Sequence, residues 1–174
     1  LMLEQGARQA LVVDDAGVVL GLVSESDLRL HLTFGVLEGT HTLASDAPAP
    51  LVLDGATPVR EVLALFADSG LDAALVVDDA GRPRGIFTGR DVARAVAVGA
   101  LARRLDEVMS HPVKTLPLDT QLTEVATWMT RQGVRHVVAV DEAGVARRTL
   151  GQHALLARLS SLLAELTTAF GPKL

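Results

Sequence analysis

Residues 70–95 read GLDAALVVDDAGRPRGIFTGRDVARA, and this stretch decides the fold. Ala74 to Val77 is a short apolar run rich in β-branched residues, which suits a strand covered on both faces. Asp78-Asp79-Ala80-Gly81 supplies turn chemistry: carboxylates that bond their own backbone, and a glycine free to take positive φ. Gly85-Ile86-Phe87 makes a second short strand. Thr88 then stands three residues before Asp91, the spacing of a helix capping box. The stretch is a hairpin that feeds a helix.

The same text occurs twice more, as GARQALVVDDAGVVLGLVSESDLRL over 6–30 and GVRHVVAVDEAGVARRTLGQHALL over 133–156. The turn glycines Gly17, Gly81 and Gly144 are 64 and 63 residues apart. So constant a period means duplicated units, which take precedence over any local reading. The third copy departs after its turn. Arg148 replaces the glycine of Gly21 and Gly85, Gly151 replaces the Ser/Thr, and Ala154 replaces the Asp.

Outward from these copies, the chain divides into five parts. Residues 1–34 form the C-terminal part of a truncated unit, since 1–5 align with 65–69, the last part of a helix in the second unit. Strands are expected over 11–13 and 18–23, and Ser24 caps a helix with Asp27 at its third position. Residues 35–50 dissolve into Gly, Thr, Ser, Ala and Pro and read as a linker. The second unit, 51–99, opens extended and turns at Asp54-Gly55. Thr57 then caps a helix with Pro58 at its first position, where a missing N–H costs nothing. Val59, Val62, Leu63 and Phe66 give that helix one apolar face, and Gly70 ends it.

The third unit, 100–158, repeats the plan: a first strand over 113–116, Thr120 as cap, the face Leu122, Val125, Ala126 and Met129, and Gly133 as stop. A complete unit is thus β-α-β-β-α, an α/β fold. Residues 159–174 form a C-terminal helix or linker. The stripe Leu155, Leu156, Leu159, Leu162, Leu163, Leu166 and Phe170 is too long for the unit's own closing helix and predicts a covering partner helix or following domain.

Composition narrows the function. Hydrophobic residues make up 49% of the 174, enough for a core, and only 3% are aromatic, so that core is Val, Leu and Ala. Sixteen Lys and Arg against 21 Asp and Glu give a formal charge of −5 with no basic run, which argues against nucleic acid as the main partner. The absence of cysteine excludes disulfides and thiolate metal sites. Apolar runs of about five residues fall far short of a membrane span, and no signal peptide is visible. A soluble cytoplasmic protein is the expectation.

The units resemble CBS domains, small β-α-β-β-α modules that pair into a so-called Bateman module. The likeness covers nearly the whole chain and rests on the signature G-h-h-[ST]-x-x-D (h is apolar). It stands here as Gly21-Leu22-Val23-Ser24-Glu25-Ser26-Asp27 and as Gly85-Ile86-Phe87-Thr88-Gly89-Arg90-Asp91. The resemblance implies tandem CBS repeats with a regulatory, non-enzymatic role. Such modules bind adenine nucleotides or a related adenosyl ligand between repeats and pass occupancy to an attached or partner effector. Disc-like homodimers are implied as well. The composition also looks like the CBS segment of bacterial multidomain signalling proteins.

By the same resemblance Asp91 bonds the ribose hydroxyls and Thr88 reaches ribose or phosphate. Gly85 lets a ligand approach the backbone, and the backbone from Leu71 to Ala73 and around Ile86 encloses the adenine. Ser24, Ser26 and Asp27 repeat this in the first unit. Arg90, and Arg135 or His136 of the third unit, become phosphate contacts. Elementary chemistry agrees in kind, since a helix N-terminus attracts phosphate and a carboxylate accepts from two vicinal hydroxyls. Yet Ser24/Asp27 and Thr88/Asp91 are also plain capping boxes, which need no ligand. The pairing stays open: units two and three are the only complete adjacent pair, while units one and two together would place both intact signatures in one cleft.

Other candidates are weaker. The five histidines, His31, His41, His111, His136 and His153, lack metal-ligand spacing, so no metal is expected. Ser24 lacks a nucleophile elbow, so no catalytic residue is expected either. Asp14-Asp15, Asp78-Asp79 and Asp141-Glu142 sit in turns and read as solvated turn residues. The leucine stripe lacks the Lys/Arg excess of a membrane-surface helix. A ligand-free dimerisation scaffold is the alternative to the sensor.

Overall fold

The computed structural model describes residues 7–24 and 41–170. Unit one supplies strands β1 (Gln9–Val13) and β2 (Val19–Ser24). A one-turn helix α1 (Leu43–Asp46) follows. Unit two carries α2 (Val59–Ser69), β3 (Ala73–Val77), β4 (Pro83–Thr88) and α3 (Gly89–Ala97). A second one-turn helix α4 (Leu105–Val108) leads to β5 (Thr115–Pro117), α5 (Leu122–Gln132), β6 (His136–Val140), β7 (Ala146–Gly151) and the long α6 (Gln152–Phe170). Among the described residues no helix is long and apolar enough to cross a membrane.

The repeat is physical as well as textual. Each unit pairs its two main strands in an antiparallel hairpin, and each hairpin shifts register at the same place, after Val12, Val76 and Ala139. Each turn is closed by one carboxylate, Asp14, Asp78 or Asp141, which accepts the amides two and four residues on at 2.8–3.0 Å. Gly17, Gly81 and Gly144 follow with φ of 81°, 78° and 79°, the left-handed region where a side chain is strained. Local carboxylate turns therefore set the hairpins, as expected. In unit three the parallel strand β5 joins β6, and its start lies two residues beyond the expected 113. In unit two the expected first strand shrinks to one parallel bridge, Val52 to Leu75.

The stretch 35–50 is no simple linker in its described part, because α1 forms there. Polar composition hid it, but one apolar side chain, Leu43, is completely buried in the core of unit three beside Leu122, Val125 and Leu159. The Leu43 amide donates to the Thr120 carbonyl at 3.0 Å. Helix α4 does the reverse, burying Leu105 in the core of unit two while its amide donates to the Thr57 carbonyl at 2.9 Å. Each unit is completed by the segment that leads into the other. Full burial of each leucine contributes roughly 1.5–3 kcal/mol.

This exchange corrects two expected caps. Thr57 and Thr120 are the docking carbonyls for α4 and α1, and neither side chain caps a helix. The N-cap positions are Pro58 and Gln121, each without a side-chain cap bond. Glycines do stop both helices, Gly70 at φ 69° and Gly133 at φ 65°. The division expected between 158 and 159 falls inside α6, whose Leu155, Leu156, Leu159 and Leu162 are buried within the chain itself. Leu163, Leu166 and Phe170 lie outside the described side chains.

Units two and three face each other through their turns. The Ala146 amide donates to the Gly81 carbonyl at 3.0 Å, and the Arg82 guanidinium to the Ala143 carbonyl at 3.0 Å. The pairing left open by the sequence is therefore two with three. The hairpin of unit one is less covered, with Leu11, Val13, Val18, Val19, Leu20 and Leu22 all more than half exposed, whereas Leu75, Val76 and Phe87 in unit two are buried.

Two outcomes follow from this packing. A Cβ on Gly85 would land on the Met109 side chain at the end of α4. Gly85→Ala should lower stability by about 1–3 kcal/mol, and Met109→Ala in the same chain should recover part of it in denaturant titrations. The second concerns Asp46, held by Arg158 at 2.6 Å and by His41 at 3.3 Å. Burial opposes its charge, but hydrogen bonds from Ser45, Arg158 and His41 outweigh that and keep the carboxyl below its ordinary 3.8. A lowered folded value means the contact stabilises fully above about pH 3.8 and is lost as pH falls through the folded value. Asp46→Asn should flatten that acid limb of the stability profile.

Candidate functional site

A cleft of about 430 Å³ lies where unit two faces unit three. Its unit-two wall is the end of β4 and the first turns of α3: Ile86, Thr88, Gly89, Arg90, Asp91 and Ala93. Asp72, just before β3, joins them. Opposite stand Val134, Arg135 and His136 at the start of β6, with Ser110, Pro112, Val113 and Lys114 from the segment after α4. Arg8 of unit one completes the lining.

Asp91 is the anchor of the unit-two wall and is only 1% exposed. Its Oδ2 accepts the Thr88 amide and the Thr88 hydroxyl, both at 2.9 Å. Its Oδ1 accepts the Arg94 guanidinium at 2.7 Å and the Ser110 hydroxyl at 2.6 Å. The expected capping box is present, with Thr88 as N-cap of α3. A carboxylate has about four lone-pair positions, and four donors take them. Ser110 reaches Asp91 because its backbone pairs with Ile86 in both directions, at 2.8 and 3.0 Å. A ribose that bonds Asp91 directly must therefore take the place of the Ser110 or Thr88 hydroxyl.

On the opposite side His136 Nε2 lies 2.9 Å from Asp72 Oδ1 and joins the two units. That hydrogen bond holds the Asp72 carboxyl below the ordinary carboxylate value, against the effect of burial, with the charges of His136 and Arg8 adding to it. Gly151 sits beneath this pair, so that a Cβ there would come within 3.1 Å of His136 Nε2 and 3.6 Å of Asp72 Oδ1. The missing hydroxyl of the third signature thus coincides with the place of the His136 ring. A second departure also has a partner. Arg148 stands where units one and two have glycine, and its guanidinium donates to the Ala44 carbonyl of α1 at 3.2 Å.

The structure brings six of the expected residues to the cleft: Ile86, Thr88, Arg90, Asp91, Arg135 and His136. Four others stand elsewhere. Gly85 is buried and makes room for Met109 rather than lining the cleft. Ala73 is 8% exposed and pairs across the hairpin with Thr88, and Leu71 is outside the lining. Ser24 ends β2 opposite Gln9, away from the cleft lining. Ser26 and Asp27 lie outside the described residues.

Sequence reasoning missed Arg8, Asp72, Ser110 and Lys114. For the first two a signal existed. Arg8, Asp72 and Arg135 occupy the same position in the three units, two residues after Gly6, Gly70 and Gly133. All three line one cleft.

Known proteins place this geometry. Solved structures of similar shape include protein MJ1225 of Methanocaldococcus jannaschii, at 18% identity and a TM-score of 0.72, covering 90% of this chain and 61% of that one. The CBS domain pair of protein MJ0100, in complex with 5′-methylthioadenosine and S-adenosyl-L-methionine, matches at 21% identity and a TM-score of 0.62, covering 68% and 98%. CBS domain protein PAE2072 of Pyrobaculum aerophilum, complexed with AMP, matches at 24% identity and 0.56, covering 66% and 93%. At these identities the likeness is one of fold. The chain spans only 37–52% of the length of the curated relatives that it matches. The CBS domain family model matches residues 1–33, 45–98 and 105–152, and the chain belongs to the CBS-domain family.

Proposed function

We propose that this chain is a regulatory module that binds an adenosine-containing ligand in the cleft between units two and three. It carries out no chemistry itself, works as a homodimer, and passes occupancy to an attached or partner effector. One observation carries the reading: the intact signature Thr88–Asp91 and the facing Val134–His136 line a single cleft of about 430 Å³. That volume falls within the ordinary range for small-molecule sites. The ribose meets Thr88 and Asp91, displacing the Ser110 hydroxyl, and the adenine lies toward Ile86. Phosphate or another anionic group meets Arg90 and Arg135 near the N-terminus of α3, where the helix dipole favours negative charge. Other CBS-pair proteins hold AMP, 5′-methylthioadenosine and S-adenosyl-L-methionine, which supports this ligand class.

The mechanism is a population shift. Ser110 follows α4 in the chain, so a ligand that displaces its hydroxyl acts on the segment that completes the core of unit two. Such a ligand shifts the packing only by its differential affinity for the two arrangements. A ligand-free scaffold is favoured by one fact alone, the saturation of Asp91 by internal donors.

A thermal-shift panel of AMP, ADP, ATP, S-adenosylmethionine and 5′-methylthioadenosine separates the readings. A ligand at about 100 times its Kd should add roughly 2.7 kcal/mol, an increase on the order of 5–10 °C in Tm. Asp91→Ala should lower unliganded stability by about 2 kcal/mol and abolish the ligand shift. Ser110→Ala, which frees an acceptor position on Asp91, should keep it. A flat panel with a merely destabilised Asp91→Ala would leave capping as the whole role of Asp91.

A further inference from the structure

Charge in the cleft is distributed unevenly. Four permanent cations line it, Arg8, Arg90, Lys114 and Arg135, in a chain whose formal charge is −5. Only two carboxylates accompany them, and both are engaged: Asp91 by its four donors, Asp72 by His136 at 2.9 Å. Among the described residues no carboxylate pairs with Arg90, Lys114 or Arg135. Arg8 makes one weak contact, 3.8 Å from Asp72 Oδ2 with both side chains about half exposed or more. Exposed pairs at such a distance hold little free energy. A phosphate group, by contrast, offers an arginine short charge-assisted bonds, often two at once. Arg8 is therefore available to a better anion.

Arg8 is also the cleft's contribution from unit one. It precedes β1 by one residue, and the hairpin it leads into exposes most of its apolar side chains. Whatever draws Arg8 into the cleft pulls that hairpin toward units two and three.

We propose that the cleft selects an adenosine ligand with at least two phosphates, and that Arg8 binds the polyphosphate and thereby fastens unit one to the pair. The inference rests on the adenosine reading of the site and adds the ligand's charge class and a third contributing unit. The cationic sulfonium of S-adenosylmethionine and the uncharged thioether of 5′-methylthioadenosine leave the four cations unmatched. A di- or triphosphate matches them. Lys114 and Arg135 face the phosphates from unit three, Arg90 from unit two and Arg8 from unit one.

Isothermal titration of the full chain with ADP, ATP, AMP, 5′-methylthioadenosine and S-adenosylmethionine tests this, at low and at high salt. ADP and ATP should bind at least about tenfold more tightly than the other three, and only their affinities should fall steeply with salt. Arg8→Ala should weaken ADP about tenfold and leave 5′-methylthioadenosine unchanged, and Arg8→Lys should restore part of the loss. Hydrogen exchange should slow in β1 on adding ADP to the native chain and not to Arg8→Ala. Equal affinity for AMP or 5′-methylthioadenosine and ADP would overturn the charge selection. An unchanged Arg8→Ala would overturn the role of unit one. In both cases the adenosine site itself would stand. If none of the five compounds binds, the site reading fails and this inference fails with it.

Discussion

Units two and three depend on an exchange. Leu43, ahead of unit two, is buried in unit three, and Leu105, at the start of unit three, is buried in unit two. In both cases a one-turn helix docks through its first amide to a threonine carbonyl, Thr120 or Thr57, at 3.0 or 2.9 Å. A one-turn helix has almost no stability of its own, so each exists because the other unit accepts its leucine. The two cores therefore form together, and the cleft between them has walls held in fixed relation. That relation is the precondition for a site assembled from both units.

Asp91 ties this architecture to the candidate site. Its carboxylate caps α3 through Thr88, holds Arg94 on the same helix, and reaches Ser110 beyond α4. Arg94 in turn donates to the Val108 carbonyl at 2.8 Å, so one buried carboxylate fixes both helix start and helix α4. Leaving so buried a group without donors is costly. Stability and ligand recognition thus draw on the same four lone-pair positions. A ligand that takes one of them removes a contact to the α4 segment, which gives occupancy a physical route to packing.

Local chemistry was legible in the sequence, and long-range docking was not. The D-x-x-G turns, both helix-stop glycines and the Thr88/Asp91 cap all involve partners within four residues, and the turns recur in all three repeats. Helix α1 was missed because its only strong signal is a single leucine whose partners lie some 80 residues away in unit three. Thr57 and Thr120 looked like caps because residue type cannot reveal that a carbonyl is claimed by a distant amide. Gly85 looked like ligand space and is in fact Met109 space. Aligning the repeats position by position, rather than motif by motif, would have marked Arg8, Asp72 and Arg135 as a set.

The decay of the third signature follows the same packing logic. Where unit two sets Gly85 against Met109, the positions equivalent in unit three are Arg148 and Ala47, so a large residue on one side accompanies a small one on the other. Gly151, in place of the hydroxyl, leaves the space beside the His136 ring open, and that ring reaches Asp72 in unit two. Neither change is loss without replacement. Each exchanges a signature residue for a contact between segments that the chain brings together only after folding. The pair of units thereby becomes asymmetric, with a complete signature in one wall and an inter-unit tether in the other. The cleft is thus built from two unlike walls.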